Sequence, residues 1–266
     1  MAMIFGLERT PNSMKLILLC NDDGVQSDGL RALADTLSEL GEVVAVAPDR
    51  EQSACSHALT MHRPLRLREV SPGFFSVDGT PTDCILLAMH RVLEGRRPDL
   101  VISGINKGGN LGDDILYSGT VSAAMEGARM GIPSFAVSLV ARKDFRFQAA
   151  CEFSRDLARR ILEKGAESCL LLNVNVPNLD PKAIRGVRIT RQGKRIYNGA
   201  VVEKTDPRGR KYYWIGGEEP GYQELEDSDI EAVMEGWISV TPLRLDLTDE
   251  ETLALLRQLC SGEGFP

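Results

Sequence analysis

The sequence predicts an α/β protein whose core is a doubly wound, mostly parallel sheet. Two observations support this fold class. Several segments are continuously apolar, which is typical of strands buried on both faces, whereas a half-exposed strand alternates apolar with polar residues. Segments with helical spacing of apolar residues separate these runs, as in βαβ units. With 43% hydrophobic and 26% charged residues among 266, the chain has ample material for a core.

The first βαβ unit can be followed along the chain. The apolar run 15–20 predicts the first strand. Leucines then recur at helical spacing between residues 30 and 40, and Gly41 predicts the end of this helix. The run 42–47 predicts the second strand, and we expect the crossover between the two strands to be right-handed.

The rest of the core continues this alternation, and we take residues 14–177 as one unit. The predicted elements are strands near 65–68 and 74–77, a helix from residue 80 to about 93, a strand at 99–103, a glycine-rich loop at 104–118, a helix near 119–130, a strand at 133–139, a helix at 146–164 and a strand at 170–174.

Beyond residue 177 the pattern becomes richer in β-structure. We expect residues 178–266 to serve oligomerisation, because a hairpin there would offer unpaired strand edges. Residues 1–13 are expected to be a disordered tail or a misassigned start, since Met14 directly precedes the first strand. The predicted C-terminal elements are a hairpin formed by 187–203 and 211–216 around a turn at 206–209, an acidic loop at 217–229, a strand at 237–241 and an amphipathic helix at 249–260.

Charge and cysteine use limit the partners and the compartment. The net charge of −7 argues against a protein that binds DNA or an anionic membrane by bulk attraction. The six cysteines form no C-x-x-C pair, which indicates a reducing compartment. Residues 1–7 are apolar but too short for a signal peptide or a membrane span. We therefore expect a cytoplasmic protein that binds neither DNA nor membranes.

Two adjacent carboxylates follow the first strand. Asp22 and Asp23 lie between Asn21 and Gly24, outside the carboxyl end of a buried strand, where open parallel sheets bind ligands. Two carboxylates held together repel each other unless a cation lies between them. The favoured interpretation is a metal site, and the alternative is that one aspartate caps the next helix.

Oxygen-bearing side chains also follow two other strands. Asp49 and the loop residues 52–54 follow the second strand, and the segment 103–110, which contains Ser103, Asn106 and Asn110, lies at the end of the strand predicted at 99–103. Hard oxygen ligands suit Mg²⁺, Mn²⁺ or Ca²⁺ better than Zn²⁺ or copper. The histidines match no zinc motif. We expect His90 to be structural, and His57 is a weaker candidate for contact with substrate.

A second signal lies at residues 117–124. Ser118, Gly119 and Thr120 precede an alanine-rich helix, where backbone N–H groups and hydroxyls can meet an anion at the positive end of the helix. The alternative is a plain N-cap by Ser118 or Thr120. A metal site beside a phosphate-binding helix terminus indicates hydrolysis of a phosphoryl group.

Several other catalytic signatures are absent. The sequence contains no G-x-x-x-x-G-K-[ST], no G-x-G-x-x-G after a strand and no G-x-S-x-G elbow. A phosphatase with an aspartyl nucleophile in a D-x-D-G-T pattern would need an aspartate where Asn21 stands. Covalent aspartyl chemistry is therefore disfavoured.

Five motifs occur in a fixed order along the chain. They are Asn21-Asp22-Asp23-Gly24, Ala47-Pro48-Asp49-Arg50 with Ser53-Ala54, Gly79-Thr80-Pro81-Thr82-Asp83-Cys84, Ser103-Gly104-Ile105-Asn106 and Tyr117-Ser118-Gly119-Thr120-Val121. In this combination the chain resembles the SurE family of stationary-phase survival nucleotidases. Segments at 206–209, 213–217 and 239–243 match the family as well, so that the resemblance covers roughly residues 14–243.

The resemblance implies a metal-dependent phosphatase that acts on nucleoside monophosphates, on 5′- and often on 3′-nucleotides. It also implies a Rossmann-like N-terminal domain and a C-terminal portion that exchanges arms in a homodimer or homotetramer. The implied cofactor is one divalent cation per subunit, Mg²⁺ or Mn²⁺, with Ca²⁺ as a substitute in crystals. The implied metal ligands are Asp22, Asp23, Ser53 and Asn106, and phosphate would bind near Ser118, Gly119 and Thr120.

The leading hypothesis is hydrolysis of a phosphomonoester by a metal-activated water, without a covalent intermediate. Asp22, Asp23 and Asn106 would be the catalytic group, and either aspartate could orient or deprotonate the water. One alternative is a protein that senses a nucleotide through the same metal without turning it over. A polyphosphate hydrolase is another, but such an enzyme would need a positive track, and the chain is acidic.

Overall fold

The computed structural model describes residues 14–165, 170–196, 201–215 and 221–260, and the predicted tail at 1–13 lies outside these ranges. Within them the protein has a nine-stranded, mostly parallel sheet with helices on both faces. The predicted α/β, Rossmann-like fold class is confirmed. None of the described helices combines the length and the apolar composition that a membrane span requires.

The described elements have the following bounds. The strands are β1 (Leu16–Cys20), β2 (Glu42–Pro48), β3 (Leu67–Ser71), β4 (Phe74–Val77), β5 (Leu100–Lys107), β6 (Ser134–Val140), β7 (Leu171–Pro177), β8 (Val187–Ile189), β9 (Arg195–Ile196), β10 (Val201–Thr205), β11 (Lys211–Ile215), β12 (Gly221–Tyr222) and β13 (Ile238–Pro242). The α-helices are α1 (Asp28–Leu37), α2 (Pro81–Leu87), α3 (Gly119–Arg129), α4 (Gln148–Lys164), α5 (Asp229–Met234) and α6 (Glu250–Cys260).

The sheet has the strand order β3-β4-β2-β1-β5-β6-β7-β13-β8. β1 pairs in parallel with β2 on one side and with β5 on the other, so that the direction of winding reverses between β1 and β5. In open α/β sheets the crevice outside the carboxyl ends of such strands is where ligands bind. The topology therefore predicts that a ligand binds beside the residues that follow β1 and β5.

β1 is buried on both faces, as its continuous apolar sequence predicts. Ile17 and Leu19 pack on the side of α1 and α4, whereas Leu16, Leu18 and Cys20 pack on the side of α2. Complete burial of one such aliphatic side chain stabilises a fold by about 1.5–3 kcal/mol. The strand that carries the paired aspartates is thus fixed by the core from both sides.

The end of the first helix differs from the prediction. α1 ends at Leu37, and residues 38–40 form a turn in which the Leu40 N–H donates to the Leu37 carbonyl at 2.9 Å. Gly41 is therefore not the helix terminator. A Cβ at Gly41 would lie 2.2 Å from the Lys15 carbonyl oxygen, so glycine allows the chain to pass close to the start of β1.

The C-terminal region contains the predicted hairpin. β10 and β11 pair antiparallel around a turn in which the Asp206 N–H donates to the Arg210 carbonyl at 2.8 Å. The expected strand at 187–203 is instead divided among β8, β9 and β10, with 197–200 outside the described residues. β13 and β8 extend the main sheet beyond β7. The division into 14–177 and 178–266 remains a prediction, and the sheet draws strands from both parts.

Candidate active site

Asn21 closes the turn that follows β1. Its amide nitrogen donates to the Gly24 carbonyl at 3.1 Å and to the Ser27 hydroxyl at 2.7 Å, and its Oδ1 accepts from the Gly24 N–H at 3.2 Å. Ser27 is the N-cap of α1. The interpretation in which Asp22 or Asp23 caps that helix is therefore wrong, and Asn21 is used to shape the turn that presents them.

The Asp22 carboxylate is buried against the N-terminus of α3. Its Oδ2 accepts from the Thr120 N–H at 3.0 Å, and its Oδ1 accepts from the Thr120 hydroxyl. Burial raises the pKa of Asp22, although the bonds from Thr120 oppose this effect. Gly119 makes the contact possible, because a Cβ there would lie 2.9 Å from the Asp22 Cβ.

Asp23 is more accessible and has a different partner. Its Oδ2 accepts from the Lys107 N–H at 3.1 Å, which ties the end of β1 to the end of β5. Burial, together with the negative charge of Asp22, raises the pKa of Asp23 to about 6. The Lys107 ammonium points elsewhere, 3.8 Å from an Asp28 carboxylate oxygen and 5.8 Å from the centre of the Phe145 ring.

Asn106 lies at the end of β5, where the strand is irregular. The pairing of β5 with β6 shifts register between Ser103 and Asn106. Gly104 has a φ of 145°, and a Cβ there would lie 2.3 Å from the Val137 carbonyl oxygen, so that only glycine fits. The Asn106 amide nitrogen donates to the Gly108 carbonyl at 2.8 Å. This bond uses the amide nitrogen of Asn106 and not its side-chain oxygen Oδ1, the atom that could bind a metal.

Ser53 lies on an exposed loop that is tied to the same strand end. The Gln52 N–H donates to the Asp22 carbonyl at 2.7 Å, and the charge of Glu51 contributes to the raised pKa of both aspartates. The Ser53 hydroxyl itself donates to Glu51 at 2.6 Å. The loop thus passes beside the paired carboxylates.

Ser118 is the N-cap of α3. Its hydroxyl oxygen accepts from the Val121 N–H at 3.1 Å, and its side chain is buried. The capping interpretation of Ser118 is therefore confirmed, while Thr120 is engaged with Asp22. A capping serine still has its own hydroxyl hydrogen to donate.

Known proteins match this chain along most of its length. A family model described as Survival protein SurE matches residues 17–199. The chain belongs to the SurE family. The matched region contains all five motifs that carry the resemblance, together with the ends of β1 and β5 and the start of α3.

Individual SurE proteins are similar over nearly the whole chain. A Geobacter sulfurreducens protein named 5′-nucleotidase SurE is 54% identical over 242 residues, which cover 91% of this chain and 92% of that protein. A Syntrophotalea carbinolica protein of the same name is 55% identical over 238 residues, covering 88% and 93%. The crystal structure of the SurE protein from Aquifex aeolicus has a TM-score of 0.83 and 46% identity, covering 92% of this chain and 99% of that one.

Asp83 is a residue of the SurE motifs that sequence reasoning gave no role. It forms a capping box with Thr80 at the start of α2, and its carboxylate also accepts from the Thr60 N–H at 3.0 Å and from the Thr60 hydroxyl at 2.6 Å. The T-P-T-D spacing indicates the capping box. The bond to Thr60 could not be predicted from a local sequence pattern, because 23 positions separate the two residues.

Proposed function

We propose that this SurE protein is a divalent-metal-dependent nucleotidase that hydrolyses nucleoside monophosphates to a nucleoside and phosphate. The observation that carries the proposal is the position of Asp22 and Asp23, which follow β1 at the reversal point of the sheet, where Asp22 contacts the N-terminus of α3 and Asp23 contacts the end of β5. The names of the G. sulfurreducens and S. carbinolica relatives support 5′-nucleotides as substrates. We expect 3′-nucleotides to be substrates as well.

The donor set fits a hard divalent cation. Among the described residues no three His, Cys, Asp or Glu side chains are grouped so that they could hold a metal, so further ligands would have to be other oxygen groups, and we assign Ser53 and Asn106 to this role beside the two aspartates. All four offer oxygen, which suits Mg²⁺ or Mn²⁺. The raised pKa values of Asp22 and Asp23 support this, because a cation would relieve the cost of holding two buried anions together. We propose one such cation per subunit.

When bound, the cation would lower the pKa of a water molecule and neutralise charge on the phosphoryl oxygens. Asp22 uses both carboxylate oxygens to accept from Thr120, so we assign it the role of a fixed ligand. Asp23 uses one oxygen to accept from Lys107, and its other oxygen is left to orient the attacking water and accept its proton. Asn106 would complete the catalytic group by binding the cation through its side-chain oxygen Oδ1.

The start of α3 would hold the phosphate. Because Thr120 donates to Asp22, the donors of this terminus that make no bond within the described residues include the Gly119 N–H and the Ser118 hydroxyl hydrogen. The unpaired N–H groups and the positive end of the helix favour an anion there. In this arrangement Thr120 acts mainly by holding Asp22.

The decisive experiment is phosphate release from a panel of nucleoside 5′- and 3′-monophosphates, with Mn²⁺ or Mg²⁺ and then with excess chelator. We expect release that requires the metal and stops when the chelator is added. Binding of a nucleotide with no release would indicate the sensing protein instead. Faster release from polyphosphate than from any nucleotide would indicate a polyphosphate hydrolase.

We also propose that the chain forms a homodimer or homotetramer. β11 exposes large apolar side chains, and α6 contains no buried residue. Contiguous apolar surface marks a protein interface, and a hairpin edge offers unpaired backbone groups. The occupant we propose for both elements is a second copy of the chain. The large exposed apolar residues of these two elements are Tyr212, Tyr213, Trp214, Ile215, Leu255, Leu256 and Leu259, and Val201 is a further one on β10, the other strand of the hairpin.

A further inference from the structure

Glu126 is a buried anion that the proposed hydrolysis does not use. It lies in α3, two turns beyond the end that contacts Asp22, and its side chain is only 4% exposed. Its carboxylate accepts from Arg129 at 2.6 and 2.9 Å and lies 3.1 Å from the His57 Nε2. Burial would raise the pKa of Glu126, but the hydrogen bonds and charges of His57 and Arg129 outweigh it and lower the pKa to about 2.

The two partners of Glu126 differ in where they come from. Arg129 belongs to the same helix, three residues further on, and its side chain is 57% exposed. His57 belongs to the loop that carries Ser53, 69 positions away in the sequence. Among the described contacts of the Glu126 carboxylate, only the bond to His57 therefore joins α3 to another part of the chain.

The loop at 50–60 needs contacts of this kind to hold its shape. Ala54 and Ser56 have φ values of 55° and 52°, which are unfavourable for residues with a Cβ and persist only when the surroundings impose them. The Ser56 N–H donates to the Tyr117 carbonyl at 3.0 Å. Ser53 makes its described side-chain bond within the loop, so its position depends on how the loop is held.

We propose that His57 and Glu126 form a latch that holds the loop at 50–60 against α3 and thereby keeps Ser53 beside Asp22 and Asp23. α3 then has two roles, since its N-terminus fixes Asp22 and its later turns fix the loop. The effect of the latch on metal binding, through the position of Ser53, rests on the proposed function. Its effect on the position of the loop does not. His57 is a positioning residue in this proposal.

The hold on the loop can be tested in the metal-free protein by amide hydrogen exchange with mass spectrometry. We expect His57→Ala to speed exchange in peptides that cover residues 51–60 and to leave peptides from β1 unchanged. His57→Gln keeps an N–H donor of similar reach toward Glu126 and should restore slow exchange. His62→Ala is the matched control, because it removes an exposed histidine from the neighbouring segment.

The consequence for the metal can be tested by calorimetric titration with Mn²⁺. Loss of an outer partner of a metal site commonly weakens affinity by about 10- to 100-fold, and we expect His57→Ala to lie near the lower end of this range. His57→Gln and His62→Ala should bind Mn²⁺ as the wild type does. Arg129→Gln removes the partner within α3 but keeps the latch, and its affinity should also be close to that of the wild type.

The outcomes separate this proposal from the nucleotidase proposal. Equal loop exchange in His57→Ala and His62→Ala overturns the latch, and so does equal Mn²⁺ affinity in these two variants when the wild type binds the metal. If the wild type neither binds Mn²⁺ nor hydrolyses nucleotides, the nucleotidase proposal fails. The exchange experiment then decides the latch alone, because faster exchange in His57→Ala would still support the hold on the loop.

Discussion

Asp22 and Asp23 are adjacent in the sequence, but their carboxylates have different surroundings. Asp22 is buried and receives two hydrogen bonds from Thr120, whereas Asp23 is half-buried and receives one from the Lys107 N–H. The pKa of each carboxyl is raised, for both mainly by burial, and for Asp23 also by the charge of its neighbour. The pair is thus costly as a dianion in the metal-free fold and suited to a cation.

Replacing Asp23 by asparagine keeps the shape of the side chain and removes one charge. We expect Asp23→Asn to weaken metal binding and to abolish most hydrolysis, because a charged ligand and the proposed proton acceptor are lost together. The metal-free variant should be as stable as the wild type or more so at neutral pH. Calorimetric titration and thermal unfolding of the same sample measure the two effects, and normal metal affinity with normal turnover would contradict the metal site.

The stability effect of Asp23→Asn should depend on pH. The pKa of Asp23 is raised from 3.8 to about 6, so the folded protein binds this proton more tightly than the unfolded chain does. The stability it contributes is present below 3.8 and is lost as the pH rises through about 6. In chelator, the variant should therefore melt above the wild type near neutral pH and together with it at acid pH. The same difference at both pH values would show that Asp23 is not the titrating group.

Among the elements, the buried strands of the core were predicted more reliably than helix ends, loops and the C-terminal strands. β1 was evident from its continuous apolar sequence, since burial on both faces leaves no room for polar residues. The predicted end of α1 at Gly41 was wrong, because Gly41 does not terminate the helix. Glycine is needed there because the chain passes close to the Lys15 carbonyl. Ser53 followed only from the family resemblance, and the contact of His57 with Glu126 had no signal, because tertiary packing alone brings such distant residues together.

The N-terminus of α3 is the element on which the phosphate prediction depends. The double variant Ser118→Ala with Thr120→Ala should lower kcat/KM for a nucleotide by at least about 100-fold, since loss of one preorganised donor commonly costs 10²–10³ in rate. Thr120 contributes to this loss by holding Asp22. Steady-state kinetics with saturating metal measure the change.

Ser122→Ala is the matched control for this helix. Its hydroxyl lies one turn inside α3 and donates to the Ser118 carbonyl at 2.6 Å, so the variant removes a buried hydroxyl whose donor is already used within the helix. We expect it to lose some stability and to keep wild-type kcat/KM. Unchanged kinetics in the double variant, or an equal loss in Ser122→Ala, would mean that the phosphate binds elsewhere.

At the scale of the whole molecule, the candidate site and the elements proposed for assembly come from different parts of the chain. The site residues come from between Asp22 and Thr120, whereas β10, β11 and α6 lie beyond residue 200. None of these three C-terminal elements belongs to the main sheet, whose strand order ends with β13 and β8. What they present to solvent is consistent with a role in contact between subunits.

Assembly through the hairpin predicts that the protein at micromolar concentration has two or four times the chain mass of 29.2 kDa by light scattering. Trp214→Ser combined with Ile215→Ser changes side chains on both faces of β11, which are 61% and 90% exposed in the single chain. Exposed apolar residues contribute little to the stability of the single folded chain, so this variant should stay folded and shift toward the monomer mass.

Val70→Ser, at an exposed position of β3, is the control and should keep the wild-type mass. A wild type of 29.2 kDa would contradict the assembly, and a double variant with unchanged mass would show that the hairpin is not the interface.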